Sequence, residues 1–158
     1  MSLTNFIRPI LSLRLHKLDS YVTNAEILQR NVLRHLLSKS SSTEWGSTHG
    51  YKTDLCYEDF ARQTPLNTYE ELKGFIDRMR HGEKDVLWPG RVKWYAKSSG
   101  TTNDKSKFIP VSADALHDTH YAGGKDAVVW YLRNNPKSKI FDGKALILGG
   151  SHAPNYNL

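Results

Sequence analysis

The chain has 158 residues, enough for one ordinary domain with its own core, and its 39% share of hydrophobic residues excludes a disordered chain. A net charge of +6 arises from 22 Lys and Arg against 16 acids, but the cations are dispersed and form no nucleic-acid signature, so polynucleotide binding is disfavoured. The single cysteine, Cys56, excludes an internal disulfide and a cysteine metal cage.

Residues 1–22 read as an N-terminal segment. Its apolar stretch is broken by Arg8, Arg14 and Lys17, far short of the roughly 20 residues that span a bilayer, and no small-residue cleavage site follows. A peripheral contact through an amphipathic helix here is conceivable and unsupported, so the expectation is a cytoplasmic protein with no membrane partner. Residues 23–158 read as one domain. Thr23-Asn24-Ala25-Glu26 resembles a capping box that starts a helix with Ile27, Leu28, Leu33, Leu36 and Leu37 on its apolar side, ended by the serine cluster after Leu37. A short helix is expected over 57–63, stopping before Pro65 because the residue ahead of a proline disfavours helical angles. Thr68 and Glu71 form a second capping box, Leu72, Phe75, Ile76 and Met79 follow helical spacing, and Gly82 closes the helix.

Beyond Trp88-Pro89-Gly90 the period changes to two. Val92, Trp94 and Ala96 alternate with Lys93, Tyr95 and Lys97, which predicts a half-buried strand with the first set inward. A polar run from Ser98 to Lys107 follows, then a second strand at Phe108-Ile109-Pro110-Val111. Ser112 caps a long helix to about Arg133, weakened at Gly123-Gly124 and stopped by Asn134-Asn135-Pro136. Ala145-Leu146-Ile147-Leu148 reads as a short buried strand. Helices first, then strands alternating with a helix, predict an α/β fold.

The run Ser98-Ser99-Gly100-Thr101-Thr102-Asn103-Asp104-Lys105-Ser106-Lys107 has the chemistry of a phosphate-binding loop. Gly100 lets the backbone approach closely, four hydroxyls lie within five residues, and Lys105 and Lys107 supply positive charge. It matches neither the Walker pattern nor G-x-G-x-x-G. Composition alone slightly favours a plain polar hairpin, since Ser, Thr, Gly and Asn are ordinary loop residues.

The pattern Ser98-Ser99-Gly100-Thr101-Thr102, then Lys107 and Pro110, resembles the ATP-phosphate loop of the adenylate-forming superfamily. More closely it resembles the Gretchen Hagen family of acyl acid amido synthetases. Thr43-Glu44-Trp45-Gly46, Tyr57-Glu58-Asp59-Phe60, Thr64-Pro65-Leu66, Tyr69-Glu70-Glu71-Leu72 and the run from Gly82 to Gly90 look like that family's N-terminal region, in order and at similar spacing. The resemblance covers roughly residues 25–150. Many superfamily members have glycine where this chain has Asn103-Asp104, residue types that tolerate left-handed backbone angles.

The resemblance implies the N-terminal portion of an adenylate-forming domain, an α/β piece built around the loop, whose C-terminal remainder lies beyond Leu158. It implies ATP bound at Ser98, Ser99, Gly100, Thr101, Thr102 and Lys107, with accompanying Mg²⁺. It also implies a carboxylic acid as substrate and an amine, usually an amino acid, as acceptor. No catalytic residue can be named. The expectation is that this piece alone does not complete the reaction, and that its sheet exposes apolar strand faces and self-associates. A non-catalytic nucleotide- or protein-binding module and an acyl-CoA ligase-like enzyme are the alternatives.

Other constellations favour bland readings. His117 and His120 share a helix face with no third ligand, so no metal site is expected. Trp88, Trp94, Tyr95, Trp130 and Tyr131 fill a core more often than an acyl pocket. Ser98 and Ser99 lack the surroundings of a nucleophile elbow.

Overall fold

The computed structural model describes residues 2–98, 107–144 and 146. The described residues are helix-rich and carry one small sheet. In chain order come helices α1 (Leu3–Ser12), α2 (Leu15–Thr23), α3 (Ala25–Ser40), α4 (Glu44–Thr48), α5 (Tyr57–Gln63) and α6 (Tyr69–Arg80). Strands β1 (Trp94–Lys97) and β2 (Phe108–Val111) follow, then a π-helical segment, Ala115–Tyr121, that runs directly into α7 (Ala122–Asn134). No helix among the described residues is long and apolar enough to cross a membrane.

The second capping box forms as its sequence predicts. The Thr68 hydroxyl accepts from the Glu71 amide while the Glu71 carboxylate accepts from the Thr68 amide at 2.6 Å, so two otherwise orphaned helix-start donors are satisfied reciprocally. Ile76 and Met79 are buried, Leu72 and Phe75 are half-buried, and Gly82 takes a φ of 95° just past the C-terminus. α5 likewise stops at Gln63, ahead of Pro65.

The first capping box does not form. Thr23 is the last residue of α2, and its hydroxyl turns back to the Ser20 carbonyl, so Asn24 takes the N-cap position of α3 without a side-chain bond. Glu26 pairs instead with Arg30 one turn on. Of the expected apolar side of α3, Leu37 is buried and Leu28 and Leu33 are half-buried, while Ile27 and Leu36 face solvent.

The phase of β1 also differs from expectation. Trp94 and Ala96 are exposed and Tyr95 packs inward, against the core formed by Met79, Val86 and Val92. Strand pairing begins only at Trp94, so Val92 is buried from the preceding link and its inward side is not continued through the strand. Trp94 and Ile109 are exposed large apolar residues on the hairpin. Of the expected strand 145–148, Leu146 is described, exposed and in no strand; Ala145, Ile147 and Leu148 lie outside the described residues.

The start and the far end of the described chain are joined. Ser2 donates to Asp142 at 2.6 Å, the Thr4 amide donates to the same carboxylate at 3.0 Å, and the Phe141 amide donates to the Thr4 hydroxyl at 3.0 Å. The Ser2 hydroxyl, then the Thr4 amide, hold the Asp142 carboxyl below its usual value of 3.8. A depressed carboxylate contributes stability above its unfolded value that is lost as pH falls through its folded value. The protection of α1 amides, relative to their intrinsic exchange rates at each pH, is therefore expected to fall once the pH drops below about 4, and Asp142→Asn is expected to abolish that acid-dependent step. Protection in α1 that does not change with pH in this window would count against the clasp.

Candidate functional site: the base of the Ser98–Lys107 loop

β1 and β2 pair antiparallel, with Trp94 opposite Val111, Tyr95 opposite Pro110, Ala96 opposite Ile109 and Lys97 opposite Phe108. Pro110 lacks a donor and is tolerated because, among the described residues, β2 has β1 as its one neighbour and lies at the sheet edge. One step further out the ladder closes on the loop ends. The Ser98 amide donates to the Lys107 carbonyl at 2.9 Å, and the Lys107 amide donates to the Ser98 hydroxyl oxygen at 3.2 Å. Of the six residues expected at the phosphates, these two are therefore brought together. Ser99, Gly100, Thr101 and Thr102 lie outside the described residues.

The pairing leaves usable chemistry at both ends of the loop. Ser98 uses its hydroxyl oxygen as an acceptor, and among the described residues no group takes its hydrogen, which can donate to an anion. Lys107 is exposed, and its ammonium stands 5.4 Å from the centre of the Tyr69 ring, a cation–π distance that steers the charge without neutralising it.

Two residues to which sequence reasoning gave no role at the loop position this base. The Tyr69 hydroxyl accepts from the Phe108 amide at 2.9 Å, which ties the first turn of α6 to the first residue of β2. At the other end of α6 the Arg80 guanidinium lies 3.8 Å over the Phe108 ring. Helical periodicity could not reveal either contact, because both join residues far apart in sequence. Tyr69→Phe is expected to destabilise the protein by about 1 kcal/mol, the worth of one part-buried hydrogen bond, and to speed exchange of the Phe108 amide. Unchanged exchange at Phe108 would remove Tyr69 from the support of the loop.

The ordered motifs upstream act as a scaffold under the hairpin. Thr43 is fully buried; it caps α4 by accepting from the Gly46 amide at 3.0 Å and donates to the Ser40 carbonyl at 2.7 Å. The amides of Glu44 and Trp45 donate to the carbonyls of Asp85 and Val86. Arg78 joins Glu44 and Glu83, holding both carboxyls below their ordinary range. Asp85, with a φ of 58°, accepts from the Gly90 amide at 2.7 Å and thereby closes the turn that carries Val86 into the core.

Ser112 caps the following helix by accepting from the Ala115 amide at 3.0 Å, as expected. The first part of that helix is wound as a π-helix immediately ahead of Gly123-Gly124, and the helix ends at Asn134. A cleft of about 1070 Å³ lies between α3 and this helix, lined among others by Val32, His35, Trp88 and Asp118. Trp88 is half-buried and donates to Asp114 at 3.3 Å. Trp130 and Tyr131 are exposed, and His117 is exposed and bonded to Asp118 at 2.8 Å. Among the described residues no three His, Cys, Asp or Glu side chains are grouped as metal ligands.

Comparison with known proteins gives a consistent picture. Residues 14–156 match the description "GH3 family N-terminal domain". The chain is 31% identical over 104 residues to indole-3-acetic acid-amido synthetase GH3.6 of Arabidopsis thaliana, an overlap of 65% of this chain and 17% of that protein. It is 32% identical over 101 residues to indole-3-acetic acid-amido synthetase GH3.17 of the same plant, and 31% over 110 residues to the probable indole-3-acetic acid-amido synthetase GH3.7 of Oryza sativa subsp. japonica. Each of those overlaps also spans 17% of the relative's length. With nine-tenths of its residues inside the family match, the chain belongs to the GH3 family, through that family's N-terminal domain.

Proposed function

We propose that this chain is the N-terminal portion of an ATP-dependent acyl acid amido synthetase, and that its Ser98–Lys107 loop holds the ATP phosphates. The observation that carries the reading is the closed loop base. Ser98 and Lys107 bond to each other, and among the described residues neither the Ser98 hydroxyl hydrogen nor the Lys107 ammonium is taken up by a hydrogen bond or ion pair, which supports a role toward an anion. Ser99, Gly100, Thr101 and Thr102 complete the cradle in this reading.

In the reaction a carboxylate oxygen attacks the α-phosphorus of ATP, and the bond to the bridging oxygen breaks so that pyrophosphate leaves. An amine nitrogen, such as that of an amino acid, then attacks the acyl carbon, loses a proton, and AMP departs with the original carboxylate oxygen. The described residues contribute positioning and charge. Lys107 offsets the charge on the β- and γ-phosphates, Ser98 donates a hydrogen bond, and Tyr69 and Arg80 fix β2 so that Lys107 stays at the loop's exit. Mg²⁺, when bound, would lower the charge of the polyphosphate, and the phosphate oxygens rather than a protein cage would supply most of its ligands. In this reading the chemistry is cytoplasmic. Residues 23–158 form the acyl-activating part in this reading, with 1–22 as a segment laid against it.

The test is exchange of labelled pyrophosphate into ATP by the native gene product, with and without carboxylic acids. Acid-dependent exchange that disappears in Lys107→Ala is the expected result. The 17% overlap with the relatives motivates a second reading, a nucleotide-binding module without the reaction. ATP binding with no exchange under any acid would favour that module and sink the synthetase.

A further inference from the structure

We propose that the outer face of α1 is a docking surface for a second copy of this chain, in a two-fold antiparallel pairing of α1 with α1. Among the described residues, the helix uses one edge for its own fold. Thr4 is buried, Ile7, Arg8 and Leu11 are half-buried, and Arg8 donates to the carbonyls of Leu132 and Ser138 at 2.7 and 3.2 Å. On its other side Leu3, Phe6 and Ile10, with Leu13 at the C-cap, are 51%, 64%, 60% and 73% exposed. Their spacing of three, four and three residues makes one continuous stripe on a helix.

Three features choose the occupant. The stripe is symmetric about Arg8, so a reversed copy sets Leu3 against Leu13 and Phe6 against Ile10, the self-complementarity that a two-fold interface requires. The exposed residues beside the stripe, Asn5, Pro9 and Ser12, are uncharged, so the pairing brings no like charges together along α1. A helix built for an anionic lipid surface carries Lys or Arg beside its apolar face. Here the Arg8 side chain is turned onto the α7 end and Arg14 is paired with Asp126. The four side chains expose on the order of 500 Å² per copy, which places a dimer near the lower size limit of specific interfaces. The stripe precedes residue 14, where the family match begins, so it belongs to this chain's own first helix rather than to the matched domain.

Sedimentation equilibrium of the 158-residue chain tests this directly. A concentration-dependent shift toward twice the 18.0 kDa monomer mass is expected, with a dissociation constant on the order of 10 μM. Phe6→Glu and Leu13→Glu, each at an exposed position and each checked for unchanged helix content, should weaken it at least about 30-fold. Trp94→Glu, on the exposed hairpin, should leave it intact. A wild-type chain that stays monomeric to about 200 μM overturns the proposal. So does a dimer that survives both α1 variants or is broken only by Trp94→Glu. Monomer binding to phosphatidylserine vesicles that is lost in Phe6→Glu, without dimerisation, assigns the stripe to a membrane and overturns it as well.

Discussion

Replacing Gly46 with alanine is expected to cost about 3 kcal/mol or more in urea denaturation, enough to unfold a marginal domain. A Cβ at Gly46 would sit 2.0 Å from the carbonyl oxygen of Ser40 and 2.8 Å from its carbonyl carbon, both backbone atoms that no side-chain rotation can move. Relief requires α4 to lift away from the end of α3. That movement would pull on the Thr43 cap and on the bonds from Glu44 and Trp45 to Asp85 and Val86, and so on the core around Val86. Gly74→Ala provides the contrast. A Cβ there meets nothing within 4 Å on an exposed helix position, so this variant is expected to gain about 0.5–1 kcal/mol. A Gly46→Ala protein within about 0.5 kcal/mol of wild type would show that the α3–α4 junction yields more easily than its geometry implies.

Lys107→Ala is expected to lower affinity for Mg-ATP by roughly tenfold to a hundredfold, or about 1.4–2.8 kcal/mol, while leaving the unfolding midpoint nearly unchanged. The separation follows from exposure. The Lys107 side chain meets the Tyr69 ring at 5.4 Å and is otherwise open to solvent, whereas its amide and carbonyl, which hold the hairpin, survive the substitution. Binding should weaken with added salt in the wild type and less steeply in the variant, because one charge pair has been removed. Equal loss of affinity and stability would instead make Lys107 a structural residue, and an unaffected affinity would remove it from the phosphate site.

Local signals were legible where a segment's own residues decide its conformation. Thr68 and Glu71 satisfy each other across one helical turn, and Pro65 sets a limit on α5, so neither outcome depends on distant packing. The same four-residue pattern at Thr23 failed because an adjoining helix, α2, already holds Thr23 in helical backbone and takes its hydroxyl. Alternation misplaced the inward face of β1 for a related reason. Val92 is fixed by Met79 and Val86 before the ladder begins, and period-two reasoning assumes an unbroken strand. At the candidate site, residue types identified the ends of the loop, and the structure pairs Ser98 with Lys107. The support from Tyr69 and Arg80 was not legible, since contacts with Phe108 from so far along the chain, 39 positions in the case of Tyr69, leave no trace in local spacing. The scaffold role of Gly46 lay inside a motif that pointed to a family, yet only the close approach of Ser40 explains why that position has no side chain.

The most direct test of the central claim is calorimetric titration of the chain with ATP and with AMP in the presence of Mg²⁺. A phosphate-holding loop requires ATP to bind at least about tenfold more tightly than AMP, with that preference lost in Lys107→Ala. Equal affinity for the two nucleotides, or a preference untouched by the substitution, would contradict a phosphate-binding role for the Ser98–Lys107 loop.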